Sequence, residues 1–129
     1  GDEHPSTLIS INNLGRLFQA QGKYDDAEPL YREVLEVRRR TLGDEHPDTL
    51  NSINNLGALF FYQGKYAEAE PLFREALQGC RRLFGEEHPN TQAVQQSLDA
   101  LLAQFAGVNH REAKPVEEAI LEVFNFGNE

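Results

Sequence analysis

The chain of 129 residues contains one cysteine, Cys80, which excludes an internal disulfide and any zinc site built from cysteines. It contains no tryptophan, and no apolar run approaches the roughly 20 residues needed to cross a bilayer. Basic residues are also few. Twelve of them against 21 acidic residues leave a net charge of -9, a field that repels phosphate backbones and anionic membrane surfaces, so neither nucleic acid nor membrane is an expected partner. The N-terminus lacks the basic segment and apolar stretch of a secretory signal. It opens inside a pattern, Gly1-Asp2-Glu3-His4-Pro5, as an excised piece would. The lone thiol suits a reducing compartment, and a cytoplasmic setting is the expectation.

A search for self-similarity decides the architecture. The opening pentapeptide returns as Gly43-Asp44-Glu45-His46-Pro47 and again, with one change, as Gly85-Glu86-Glu87-His88-Pro89, two steps of 42 residues. Aligned without gaps, the first two units are identical at 28 of 42 positions. The shared segments include Ile11-Asn12-Asn13-Leu14-Gly15 with Ile53-Asn54-Asn55-Leu56-Gly57, and Gln21-Gly22-Lys23-Tyr24 with Gln63-Gly64-Lys65-Tyr66.

Within a unit the hydrophobic period is helical. Leu8, Ile11, Leu14, Gly15 and Phe18 fall on one side of a helix, here called helix A, whereas a strand would scatter them. Proline in the first turn suits its start, where the missing N–H is harmless, and Gln21-Gly22 suits its end. Tyr24, Ala27, Leu30, Tyr31, Val34 and Leu35 form the stripe of a helix B, with Arg38, Arg39 and Arg40 placed to complement its C-terminal dipole. Pro29 and Pro71 lie early in helix B and predict a loose or kinked first turn. The fold class is therefore all-α, a stack of antiparallel helical hairpins in one unit spanning 1–129, with repeats 1–42, 43–84 and a degraded terminal repeat, 85–129. In that last repeat Gln95 and Asp99 replace the isoleucine and glycine of helix A, the turn is two residues longer, and 8 acidic against 2 basic residues carry most of the net charge. A polar terminal unit is what an array needs where it stops.

These residues resemble the tetratricopeptide repeat in its 42-residue, kinesin light chain-like form. Leu14, Gly15, Phe18, Ala27, Tyr31 and Val34 in the first unit, and Leu56, Gly57, Phe60, Ala69, Phe73 and Ala76 in the second, occupy the small and large positions of that family. The resemblance implies a right-handed superhelical solenoid whose A helices line a concave groove for an extended peptide or a partner helix, and it implies no chemistry.

On a helical wheel the side of helix A opposite the stripe carries Ile9, Asn12, Asn13, Arg16 and Ala20, then Asn51, Asn54, Asn55, Ala58 and Tyr62. An amide offers a donor and an acceptor together, the complement of an extended peptide backbone. Asn12, Asn13, Asn51, Asn54 and Asn55 are accordingly the expected peptide-binding residues. Arg16 would meet an acidic side chain, and Phe61 with Tyr62 would hold a bulky apolar anchor. The alternative for the asparagines is a hydrogen bond between adjacent A helices that fixes their stacking. A second function stands beside peptide binding, head-to-tail self-association through the uncovered first helix.

His4, His46 and His88 recur at the repeat period, which would keep them too far apart to share a metal, and they are expected to shape the entry into helix A. The sequence carries no nucleophile elbow, glycine-rich phosphate loop or paired ligand motif. Neither an enzyme nor a cofactor is expected.

Overall fold

A computed structural model describes residues 4–107, and every regular element among them is helical: α1 (Pro5–Ala20), α2 (Tyr24–Leu42), α3 (Pro47–Tyr62), α4 (Tyr66–Phe84) and α5 (Pro89–Phe105). Each element packs on its neighbours in sequence, α1 on α2, α2 on α3, α3 on α4 and α4 on α5, with a lighter contact between α3 and α5. That order makes two complete A–B hairpins and a third A helix. The turn after α5, and the expected partner stripe of Val116, Ala119, Ile120, Val123 and Phe124, extend beyond the described residues.

The three A helices start alike. His4, His46 and His88 are the N-caps, and each accepts at Nδ1 a hydrogen bond of 3.1 Å from the backbone N–H two residues on, that of Ser6, Asp48 and Asn90. An imidazole thus does the work usually given to serine or aspartate, while Pro5, Pro47 and Pro89 take the first helical position. The turns into helix B need Gly22 and Gly64, whose φ values of 77° and 78° lie in the left-handed region. Pro29 and Pro71 do not loosen the start of helix B as expected. α2 and α4 run unbroken from Tyr24 and Tyr66 with the prolines inside them, and the residues before each proline retain helical bonds such as Ala27 N–H to Lys23 O, 3.1 Å.

Close packing within each hairpin depends on a missing side chain. A Cβ added at Gly15 would lie 2.9 Å from the Tyr31 ring, and one added at Gly57 would lie 3.0 Å from the Phe73 ring, so these glycines let helix A press onto the aromatic of helix B. One continuous core runs from Ala27 and Tyr31 through Leu56 and Phe73 to Leu101.

The stripe of α1 departs from expectation. Leu14 is 43% exposed and Leu17 53%, whereas their counterparts Leu56 and Leu59 are 3% and 0% exposed. The residues are the same, and the difference is the neighbour. α2 covers that side of α3, and no described helix covers it on α1.

Candidate functional site

α3 is buried along residues 49–61, so the face assigned to ligand is shielded in the second unit. Asn51, Asn54 and Asn55 are buried, Asn12 and Phe61 are buried, Tyr62 is half-buried, and only Asn13 is well exposed, with Arg16 intermediate. The expectation that this side of helix A stays outside the core holds at Ile9, Asn13 and Ala20, which are exposed, and fails at Asn12, Asn51, Asn54, Asn55 and Ala58, which are buried, with Arg16 and Tyr62 between the two. A helical wheel allots a helix one buried stripe, but an A helix inside an array meets neighbours on several sides.

The buried amides are arranged by the repeat. Asn55 Nδ2 donates to Asn12 Oδ1 at 3.2 Å, a rung across the seam between α1 and α3. Asn54 stands on α3 where Asn12 stands on α1. At the next seam Ser97 takes the place of Asn55, and its hydroxyl donates back to Ala93 O at 3.2 Å. Asn54 is left fully buried with neither Oδ1 nor Nδ2 hydrogen-bonded, and Asn55 Oδ1 is also unpaired. Sequence alone offered the asparagine ladder but not its offset by one position, which only the stagger of the helices reveals.

The aromatics gather at the edge where A helices turn into B helices. Tyr24 stacks on Tyr62 with centroids 6.2 Å apart, Tyr62 meets Phe61 edge-on at 6.1 Å, and Phe61 leads to Tyr66 at 5.3 Å. Phe61 is the buried member of this row, and Tyr24, Tyr62 and Tyr66 are half-buried. Tyr24 and Tyr62 border an open depression of about 560 Å³ shared with Lys23, Asp25, Asp26, Gln63 and Lys65.

A buried cation lies at the seam between α2 and α3, missed by the sequence reading, which placed Arg38 among ordinary C-terminal cations. Arg38 Nη1 donates to Ser52 Oγ at 2.9 Å and to Asp48 O at 3.1 Å, and Thr49 Oγ1 donates to Arg38 O at 3.3 Å. Burial lowers the Arg38 pKa and the nearby Asp48 carboxylate opposes that shift. The signal available in sequence was the change from Arg38 to Cys80 at equivalent positions, one of the differences between the two units. Cys80 is buried, and burial pushes its thiol up to about 12, which leaves it protonated and unreactive at neutral pH.

Among the described residues no cluster of three or more histidine, cysteine or acidic side chains is placed to hold a metal, and no helix is long and apolar enough to cross a membrane.

A profile of the tetratricopeptide repeat matches residues 6–82 and 53–122. The chain belongs to the tetratricopeptide repeat family, a family of non-catalytic interaction scaffolds. Its fold is similar to that of the nearly identical TPR-like repeats of a candidate kinesin light chain from Podosopora anserina, at 30% identity and a TM-score of 0.68, over 97% of this chain and 58% of that one. A single-substitution variant of the same protein gives a TM-score of 0.70 at the same identity and coverage. BtubC (BKLC) from P. vanneervenii shares the fold, with a TM-score of 0.71 at 23% identity over 95% of this chain and 48% of that one. The chain therefore spans about half the length of these structures. No curated protein matches it.

Proposed function

We propose that the chain is one array of repeats acting as a protein-interaction module, and that it takes an extended peptide or helical segment of a partner along its A helices. The observation that carries this reading is Asn54, a buried amide with both polar atoms unpaired at the middle of the A-helix layer. Such a group costs about 1–3 kcal/mol while unsatisfied, and the N–H and C=O of an extended backbone are its complement. Asn13 and Gln96 on the flanking helices are exposed and form the first contacts. Engagement of Asn51, Asn54 and Asn55 then requires the layer around α3 to part. Arg16 favours an acidic residue in the partner, and the Tyr24–Tyr62 pair favours a bulky apolar one. Affinity in the micromolar range suits a short peptide that loses its own freedom on binding.

Because the protein lacks tryptophan, a Trp-containing acidic peptide reports binding by its own fluorescence. Arg16→Glu should weaken acidic peptides and spare neutral ones, and Asn54→Ala and Tyr62→Ala should weaken both. Unchanged binding in all three variants would remove the A-helix face as the site.

A second reading is favoured by Leu14 and Leu17 on α1, exposed where their counterparts in α3 are buried. On that reading α1 is a stacking surface, and the chain acts as a spacer or assembly element. Light scattering over a concentration series separates the two, since peptide binding alone leaves the mass constant.

A further inference from the structure

The two helix B seams differ by a pair of residues that change together. At the α2–α3 seam Arg38 faces Ser52. At the α4–α5 seam the equivalent positions hold Cys80 and Val94, both buried with no exposed surface. Arginine thus meets an oxygen acceptor and cysteine meets an apolar side chain. A mixed seam would set a buried guanidinium against methyl groups, or leave a serine hydroxyl without its charged donor, and either arrangement is unfavourable. A second contact accompanies the first. Arg39 on α2 makes a two-pronged ion pair with Glu75 on α4, at 2.6 and 2.9 Å.

The outer face of the first hairpin repeats the arginine-type half of this lock. Ser10 stands where Ser52 does, the carbonyl of Ser6 where that of Asp48 does, and Thr7 where Thr49 does. Glu33 on α2 stands where Glu75 does on α4. Leu14 and Leu17 follow Ser10 along α1 and are exposed, and α2 itself, seated on α3, shows what the equivalent residues accept.

We propose that the outer face of α1 and α2 docks helix B of another tetratricopeptide unit, and that it selects the class carrying consecutive arginines at the positions of Arg38 and Arg39 over the cysteine class of α4. The proposal rests on the stacking reading above and adds the selection rule. Its charge logic is local: two guanidinium groups arrive at Glu33, Ser10 Oγ and the Ser6 carbonyl, and a helix with cysteine at the first position leaves Ser10 Oγ without a charged donor and the Ser6 carbonyl with only the Ser10 hydroxyl, 3.1 Å away.

The test places a second copy of residues 1–42 ahead of Gly1 in the full chain, so that the natural Gly-Asp-Glu-His-Pro segment joins the copies. Hydrogen exchange of the α1 amides is read with and without Arg38→Cys in the added copy, each with Ser10 or with Ser10→Val in the host unit. Protection of α1 should rise on adding the unaltered copy, fall about tenfold or more with Arg38→Cys, and recover when Ser10→Val accompanies that change. Equal protection by the arginine and cysteine copies would overturn the selection rule while leaving stacking intact. No added protection from any copy would overturn the stacking reading and the rule with it. Since Ser10→Val sits on an exposed position of α1, the recovery arm distinguishes a mismatched seam from an added copy that does not fold.

Discussion

Asn12 and Asn55 share a hydrogen bond of 3.2 Å across 43 positions of sequence, so two of the amides expected at a peptide site hold two A helices together. Asn55→Ala leaves Asn12 Oδ1 without its donor in a buried place and should cost about 1–3 kcal/mol. Asn13→Ala, at an exposed position, should stay within about 0.5 kcal/mol of wild type. Urea unfolding of the two variants checks this, and equal losses would deny the rung its structural role.

The missing rung at the next seam makes a prediction of opposite sign. Ser97→Asn restores the residue type that faces Asn12 across the first seam, and it should raise stability by about 1 kcal/mol by pairing with Asn54. The gain should vanish in an Asn54→Ala background, which a double-mutant cycle in urea reads directly. A gain that persists without Asn54 would mean that Ser97→Asn acts elsewhere.

Equivalent leucines should behave unequally. Leu56→Ala removes a buried side chain and should cost about 2–5 kcal/mol, whereas Leu14→Ala should cost less than about 1 kcal/mol because Leu14 still sees water. Thermal melting of both variants is sufficient, and matched losses would show that something covers α1 in solution.

The helices, their caps and their turns were legible in the sequence because they depend on local chemistry: proline in the first turn, glycine after Gln21 and Gln63, and a helical period. Pro29 suggested a looser first turn than α2 shows, since the residues before it keep their helical bonds from Tyr24 onward. The environment of each helix face was not legible. Leu14 and Leu56 sit in identical local sequence, and only the presence of α2 beside one of them separates core from surface. The buried Arg38 was hidden for the same reason, because its partner Ser52 lies on the following helix.

Stability should fall at alkaline pH for a reason that can be assigned. An unfolded thiol ionises near 9.0 and folded Cys80 only near 12, raised by burial, so between those values the unfolded chain alone loses a proton. The raised value means that stability is intact below pH 9 and declines as pH climbs toward 12, by up to tenfold in the unfolding constant per pH unit. Burial holds the Tyr31 phenol above its ordinary value too, which adds to the decline in the same direction. Cys80→Ala should flatten the slope between pH 9 and 10 by roughly half a proton rising toward one, and an unchanged slope would show that the thiol is not shielded.

The pairing of Arg38 with Ser52, and of Cys80 with Val94, bears on how such an array can change length by inheritance. Helices begin at Pro5, Pro47 and Pro89, an even step, so an insertion or deletion of one step adds or removes a whole unit. Tandem duplication of the first unit sets an arginine against a serine and leaves every junction satisfied. Tandem duplication of the second sets a cysteine against the serine of its own copy and strips that serine of its donor. The two units share one helical frame, yet only the first sets its own helix B arginine against its own serine when it is repeated.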